Sequence, residues 1–256
     1  MSEAMLRTER RGDVLALTLD RPDRLNAAPP ALFDAICAAL AETGDARAVL
    51  IAGEGRAFCS GADISGGDVG PDTVHRALVD HYNPVMLALA DLPIPVVSAV
   101  RGAAAGIGCS LALAADFCVA SESAYFLHAF VNIGMVPDGG ASWMLPRLIG
   151  RARAAEMMML GERVGAAKAL DWGMVHKVVA DDALDAEAWA LTERLAAGPS
   201  VALGLMRRAL HAGFDSDYAA ALAREAQDQR SARATLDGEE GGRAFFEKRP
   251  PRFLGR

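Results

Sequence analysis

The sequence predicts an α/β protein with a core of about 190 residues, followed by a helical C-terminal part. Three observations lead to this prediction. Short apolar runs alternate with helical patterns up to about residue 150, and the stretch beyond it is mostly helical. Hydrophobic residues make up 52% of the 256 residues, enough for a large buried core. A chain of this length forms one large domain or two smaller ones.

In the first half of the chain, each element follows from a hydrophobic period and its flanking turn residues. Val14–Leu19 alternates and ends at the turn 20–23, which is typical of a strand. Residues 30–43 carry apolar side chains at helical spacing, with proline near the start. The other predicted elements are strands at 48–52, 94–100, 117–120 and 124–127, helices at 73–89 (kinked at Pro84) and from Gly106 to Ala115, and a mobile loop at 65–71.

After Gly150 the pattern becomes mostly helical. One strand is predicted at 174–179, where it interrupts the helices. The predicted helices cover 152–160, 166–172, 184–197, 201–212, 218–235 and 238–248.

Composition excludes several classes of protein. The net charge of −7 argues against nucleic-acid binding, which needs a basic face. No apolar run reaches the roughly 18 residues of a membrane span, and the charged N-terminus lacks the apolar stretch of a signal peptide. The four cysteines show no CxxC spacing, which indicates neither a metal site nor a redox pair. We therefore expect a cytoplasmic protein with free thiols and no membrane partner.

The most informative segment is 133–143, IGMVPDGGASW, where Asp138 is the one carboxylate in an apolar, glycine-rich loop. Two earlier segments, 57–63 and 102–116, are rich in small residues that let main-chain N–H groups approach a ligand. Two such N–H groups would stabilise a thioester enolate formed when Asp138 removes a carbon-bound proton. The alternative interpretation is that Asp138 caps the helix that follows.

Other motifs point to less. Gly106-Ile107-Gly108 lacks the third glycine and the acidic partner of a dinucleotide site, and neither a G-x-S-x-G elbow nor a Walker A loop is present. Ser60, Ser110 and His128 show no spacing of a catalytic triad, so polar packing is the preferred interpretation.

Several stretches together resemble the crotonase (enoyl-CoA hydratase/isomerase) superfamily over nearly the whole chain. They are RPDRLNA (21–27), GRAFCSGADI (55–64), PVVSAVRGAAAGIGCSLALAADFCVAS (95–121), GMVPDGG (134–140), LPRLIGRARAAEMMMLGERVGAAKALDWGMVHKVV (145–179) and AFFEKRPPRF (244–253).

The resemblance implies a crotonase/ClpP-like superhelix of ββα units with a helical C-terminal trimerisation region. Residues 1–195 would form the acyl-CoA-binding core, and 196–256 would build a homotrimer or a hexamer made of two trimers. It implies no separate cofactor, because the coenzyme A thioester is itself the substrate. The family's oxyanion-hole N–H groups match Ala62 and Ile107. Its coenzyme A contacts match Arg24, Leu25, Ala62, Asp63 and Ile64, together with Phe245 and Lys248, which relatives often draw from a neighbouring subunit.

The departures from the family are informative. Hydratases use two glutamates, and their positions match Ser110 and Phe130, which cannot perform acid–base chemistry near neutral pH. The PDGG segment resembles the ring-epoxide isomerases of phenylacetate catabolism and related enoyl-CoA isomerases, which carry an active aspartate at the position of Asp138. Dehalogenases of the family also have an aspartate there, but with a tryptophan where this chain has Phe130.

The function that follows is an enoyl-CoA isomerase with Asp138 as acid and base. Its acyl pocket would be lined by Phe130, Met135 and Trp143, and these residues, with Val136, would raise the pKa of the Asp138 carboxyl. Two alternatives stay open. One is an enoyl-CoA hydratase of the fatty-acid β-oxidation type, with Asp138 as its sole acid–base group, and the other is an acyl-CoA-binding subunit without activity.

Overall fold

A computed structural model describes residues 5–65 and 70–256. Nine strands form a six-stranded sheet with the order β1-β2-β3-β4-β6-β9 and a three-stranded sheet with the order β5-β7-β8. The strands are β1 Leu6–Arg11, β2 Val14–Leu19, β3 Ala48–Gly53, β4 Val96–Val100, β5 Ala103–Ala105, β6 Phe117–Ser121, β7 Tyr125–Leu127, β8 Val164–Gly165 and β9 Lys177–Val179.

Ten α-helices are described in these ranges. They are α1 Pro30–Ala41, α2 Pro71–Ala77, α3 Asn83–Asp91, α4 Ile107–Leu113, α5 Ala141–Leu160, α6 Ala166–Asp171, α7 Leu184–Ala196, α8 Ser200–Gly213, α9 Tyr218–Arg233 and α10 Leu236–Glu247. Two short 3₁₀ turns, Pro22–Arg24 and Ala129–Ile133, and a π turn, Leu78–Tyr82, complete the list.

The large sheet is parallel from β2 to β9, and its inner strands β2, β3, β4 and β6 are buried on both faces. Successive residues of a strand point to opposite faces. Leu15, Leu17 and Leu19 of β2 therefore belong to the main core, which also receives α1 and α3. Val14 and Ala16 point the other way, into a smaller core covered by α7. Burial on both faces explains why these strands read as apolar runs.

The second layer completes the ββα units. After β4 and β6, which lie in the large sheet, the chain adds β5 and β7 to the small sheet before it enters a helix. Two parallel bridges, Ala28 with Ala62 and Cys59 with Ala104, extend this second layer toward the N-terminal units. The predicted α/β architecture of ββα units with a helical C-terminal part is confirmed.

Four local predictions differ from the structure. Strand β1 was not predicted, because five of its six residues are exposed and it lies at the sheet edge, where a hydrophobic period is absent. The predicted helix 73–89 is three consecutive segments: α2, the π turn and α3.

Helix α5 begins eleven residues before the predicted start at 152, because Pro146 and the non-helical Gly150 obscure its hydrophobic period. The predicted strand 174–179 is reduced to β9. Of the predicted loop 65–71, residues 66–69 lie outside the described residues.

An ion pair between the buried Arg207 and the partly exposed Asp116 links α8 to the core. Arg207 of α8 donates from Nε to both carboxylate oxygens of Asp116, at 2.8 and 2.7 Å, and from Nη1 to the carbonyl of Leu92. Helix α7 ends at Ala196 and α8 begins at Ser200, and the proposed division of the chain at residue 195 stays a prediction. Across the two described ranges, no helix has the length and hydrophobicity needed to cross a bilayer.

Candidate active site

The Asp138 loop lies directly on α4. Gly139 has a φ of +58°, and a β-carbon there would lie 2.6 Å from Cδ1 of Ile107 and from Cβ of Ser110. The Ser110 hydroxyl donates to the main-chain carbonyl of Asp138 at 3.0 Å. Only glycine allows this approach, because any other residue at 139 would be strained and would collide with α4.

The Asp138 carboxylate is poorly solvated. Its Oδ1 is buried and has no hydrogen-bond partner among the described residues. Burial raises the pKa of Asp138 to about 6, because the ionised form loses its hydration. The capping interpretation is wrong, since Gly140 occupies the N-cap of α5 and no side chain accepts a hydrogen bond there.

The two predicted oxyanion positions face the same region of the fold. Ile107 is the first residue of α4, and it follows Gly106, whose φ of 53° and ψ of −128° favour glycine. A β-carbon at Gly106 would lie 3.8 Å from Cα of Gly61, so the turn before Ile107 adjoins the turn before Ala62. The Ile107 side chain does not extend into open space, since it is 1% exposed and reaches Gly139.

The amide of Ala62 is oriented by its bridge to Ala28. Ala28 donates to the carbonyl of Gly61 at 2.8 Å and accepts from the N–H of Asp63 at 3.0 Å. In a parallel bridge of this kind, the N–H and C=O of the central residue point away from the partner strand. In residues 5–65 and 70–256, neither the Ala62 nor the Ile107 N–H has an acceptor. Both amides are therefore free to bind an oxygen, and their assignment as an oxyanion hole stays a prediction.

The predicted acyl-pocket residues divide into two groups. The Phe130 ring borders Gly106, with Cζ at 3.5 Å from a β-carbon placed there, and stacks on His128 at 5.9 Å. Met135 follows in the same loop and is 40% exposed. The Trp143 ring instead packs against α8, stacked on His211 at 6.2 Å and edge-on to Phe214 at 6.0 Å.

Two of the predicted causes of the Asp138 pKa need correction. Val136 is 79% exposed, so it does not enclose the carboxylate, and the ring contacts of Trp143 lie with α8. What encloses the loop is Ser110 and Ile107 of α4, which meet it at Gly139. Placement of Phe130, Met135 and Trp143 in an acyl pocket stays a prediction.

The predicted N-terminal coenzyme A positions lie on two segments that hydrogen bonds and an ion pair join beside Ala62. Arg24 ends a 3₁₀ turn, and Leu25 follows with a φ of 52° and accepts at its carbonyl from the N–H of Ser60 at 3.0 Å. Asp63 pairs with Arg21 at 2.9 Å and accepts from the Ser65 hydroxyl at 2.6 Å. Hydrogen bonds from Ser65 and Arg21 lower the pKa of Asp63 to about 2, so this carboxylate stays ionised. Ile64 is 69% exposed.

The predicted C-terminal coenzyme A positions lie at the end of α10. Phe245 is 78% exposed, and Lys248 caps α10 in the left-handed conformation with a φ of 54°. Within the described residues, neither has a hydrogen bond, ion pair or ring contact to the Asp138 or Ala62 loops.

Two residues near the site were missed in the sequence. Asn26 is fully buried with a φ of 54°; its side chain accepts from Arg21 N–H at 2.8 Å and donates to the carbonyls of Glu54 and Ala57. Asparagine after a turn is a usable signal, because it tolerates a positive φ. Tyr82 was hidden within the single helix predicted for 73–89, and its hydroxyl donates to the carbonyl of Ala28 at 2.8 Å.

Comparison with known proteins agrees with this geometry. The sequence profile of the enoyl-CoA hydratase/isomerase family matches residues 9–256. A probable enoyl-CoA hydratase of Rhodobacter capsulatus is 42% identical, with 100% of both chains covered. The 1,2-epoxyphenylacetyl-CoA isomerase of Escherichia coli is 39% identical over 95% of each chain.

A crystal structure gives the same result for the fold. A putative enoyl-CoA hydratase from Streptomyces coelicolor A3(2) superposes with a TM-score of 0.93 at 36% identity, covering 99% of this chain and 95% of that one. With the resemblance of the motifs thus confirmed along the sequence and in three dimensions, the chain belongs to the enoyl-CoA hydratase/isomerase family of the crotonase superfamily.

Proposed function

We propose that the protein is an enoyl-CoA isomerase that shifts a double bond or isomerises a ring epoxide, with Asp138 as its acid and base. The observation that carries this proposal is the Asp138 carboxylate itself, whose buried Oδ1 has no hydrogen-bond partner among the described residues and whose pKa is about 6. A pKa near the working pH suits a group that must both take and return a proton. The similarity to the E. coli epoxide isomerase supports the same choice.

The thioester oxygen of the substrate would bind between the N–H groups of Ala62 and Ile107. These amides are free of other acceptors in the described part of the chain, so binding costs no internal hydrogen bond. Their hydrogen bonds strengthen as negative charge develops on the oxygen, which stabilises the enolate. Loss of one such donor typically lowers the rate by about 10²–10³.

The proton then stays within the site. Asp138 takes a proton from a carbon of the acyl group, the electron pair moves into the conjugated enolate, and protonated Asp138 returns the proton to another carbon. Substrate and product contain the same atoms, so neither water nor a second base is needed. Ser110 and Phe130, at the positions of the hydratase glutamates, leave Asp138 to carry both steps.

Coenzyme A would serve as the handle of the substrate and not as a separate cofactor. Arg24, Leu25 and the segment Ala62, Asp63 and Ile64 would contact it on one side. Phe245 and Lys248 would contact it from the same or a neighbouring subunit, the ammonium of Lys248 pairing with phosphate.

We also propose assembly as a homotrimer or as a hexamer of two trimers. In support, a groove of about 890 Å³ lies between α8 and α9. It is bordered by Met206, Leu210 and Phe214, which are 58%, 72% and 57% exposed. Apolar surface of this kind marks interaction sites.

A hydratase is the second candidate, favoured by the similarity to the probable hydratase of R. capsulatus. One assay separates the two functions: water addition to crotonyl-CoA beside isomerisation of a 3-enoyl-CoA, each with the wild type and with Asp138→Asn. The isomerase proposal requires faster isomerisation that Asp138→Asn abolishes. Efficient hydration that is independent of Asp138 would overturn it, and turnover lost in Asp138→Ala would exclude a binding subunit without activity.

A further inference from the structure

The main-chain carbonyl of Ala28 has two donors. The N–H of Asp63 reaches it at 3.0 Å, and the hydroxyl of Tyr82 reaches it at 2.8 Å. Ala28 is fully buried, so water does not compete for this carbonyl. Because Ala28 also donates to the carbonyl of Gly61, every restraint on Ala28 acts on the peptide units that flank Ala62.

Tyr82 is held rigidly at this point. It is 4% exposed, and its ring packs edge-on against Phe33 of α1 at a centroid distance of 4.7 Å. Tyr82 ends the π turn Leu78–Tyr82, in which the N–H of Asn83 bonds to the carbonyl of Leu78. Pro84 follows, and its missing N–H removes the ordinary helical bond. A π turn inserts one residue into a helix and rotates the side chains on either side of it relative to each other, and such turns are frequent at functional sites.

The charge of the proposed base also acts on Tyr82. Burial is the main cause of its raised pKa, and the negative charge of Asp138 adds to it. The phenol therefore remains protonated and acts as a donor throughout the range in which Asp138 titrates. It makes no hydrogen bond to Asp138 among the described contacts, so it acts through Ala28.

We propose that Tyr82 is a positioning residue, whose hydroxyl holds the Ala28 carbonyl and thereby aims the Ala62 N–H at the thioester oxygen. This inference rests on the proposed function, in which that N–H polarises the substrate. The hydroxyl neither touches the substrate nor transfers a proton.

The test is Tyr82→Phe. Its folding should persist, since the Ala28 carbonyl keeps the N–H of Asp63 as a donor, and thermal unfolding should show only a small decrease in Tm. We expect kcat for a 3-enoyl-CoA to fall about 10-fold with KM nearly unchanged, since a misaimed donor retains part of its effect. Tyr218→Phe makes the same chemical change at a residue that is 80% exposed and is the matched control.

A spectroscopic measurement separates positioning from mere stability. A saturated acyl-CoA labelled with ¹³C at the thioester carbonyl binds without reacting, and difference infrared spectroscopy reports how strongly its carbonyl is polarised. The carbonyl band should shift to lower frequency in the wild type and in Tyr218→Phe, and part of the shift should be lost in Tyr82→Phe. Phe33→Leu, which removes the ring contact and keeps the hydroxyl, should lower Tm and retain the shift.

The outcomes distinguish this inference from the proposed function. An unchanged carbonyl shift and unchanged kcat in Tyr82→Phe would overturn the positioning role while isomerase activity stands. A reduced shift in a protein that isomerises none of the acyl-CoA esters tested would support the role of Tyr82 and reject the isomerase. Loss of the shift in Phe33→Leu to the same extent would assign the effect to ring packing and would also overturn the proposal.

Discussion

The hydroxyl of Ser110 donates a 3.0 Å hydrogen bond to the main-chain carbonyl of Asp138, so α4 holds the loop that carries the proposed base. Ser110 is fully buried, at the position that the family resemblance matches to a hydratase glutamate. In this chain the side chain at that position holds the loop of the proposed base.

Replacing Asp138 by Asn should remove the base and keep the loop. Turnover should fall at least about 10²-fold, because the amide cannot accept the proton. In the wild type, kcat/KM, which reports the ionisation of the free enzyme, should rise with pH through about 6 as the carboxylate ionises. Steady-state kinetics between pH 5 and 8 check both statements. Near-normal turnover of Asp138→Asn would reject Asp138 as the base.

Ser110→Ala should loosen the Asp138 loop without touching the carboxylate. We expect kcat to fall about 3- to 10-fold and the free energy of unfolding to fall by about 1 kcal/mol, the usual net value of one hydrogen bond. Ser98→Ala is the matched control. The fully buried Ser98 hydroxyl donates at 2.7 Å to the carbonyl of Ala112, which lies in α4 as Ser110 does. Its unfolding free energy should fall similarly with kcat unchanged. Equal kcat in the two variants would show that the Ser110 bond has no effect on the reaction.

Arg207→Met should destabilise the protein more than the loss of a surface ion pair. The guanidinium is 3% exposed and pairs with Asp116, whose side chain is 20% exposed and also accepts from the N–H of Val96 at 2.8 Å. The substitution removes this pair and leaves the carbonyls of Ala90 and Leu92 without their donor, which should cost about 1–3 kcal/mol. Arg147→Met is the control, since its partner Asp215 is 63% exposed and such pairs contribute at most about 1 kcal/mol. Urea denaturation measures both, and a loss below about 1 kcal/mol for Arg207→Met would contradict a stabilising pair.

His128→Leu should make stability less sensitive to acid. His128 is fully buried, both ring nitrogens lack partners within the described ranges, and burial lowers its pKa to about 4 from the ordinary 6.5. Between pH 6.5 and 4 the unfolded state binds the proton more tightly, so this histidine destabilises the fold as pH falls through that window. The difference in unfolding free energy between His128→Leu and the wild type should therefore increase from pH 7 to pH 4.

Asp138 should change the stability of the fold with pH in the direction opposite to His128. Its folded pKa of about 6 lies above the ordinary 3.8, so the stability it contributes is present in acid and is lost as pH rises from 3.8 to 6. Asp138→Asn should thus gain stability relative to the wild type as the pH rises from 3.8 to 6.

For His128, parallel pH profiles of the unfolding free energy in the wild type and in His128→Leu would show that the imidazole is not buried in the neutral form.

Periodicity and local motifs were sufficient to predict the α/β architecture. The apolar run of β2 and the helical spacing of apolar residues in α1 indicate which faces of these elements are buried. This pattern depends only on residues that are near one another in the sequence. The resemblance of the motifs was likewise sufficient to predict the family. Asp138 was conspicuous because a carboxylate is chemically out of place among Gly, Pro and Met, and no tertiary contact is needed to notice it.

Tertiary structure alone decided what each of these residues does in the fold. The raised pKa of Asp138 depends on its burial, and its loop rests on α4 through Ser110, 28 residues away. Trp143 turned toward α8, and Tyr82 reached Ala28 across 54 residues. The physical reason is the same in each case. The desolvation of Asp138, the ring packing of Trp143 and the hydrogen bond of Tyr82 all depend on segments that are distant in sequence. A local sequence pattern does not specify which distant segment will pack against it.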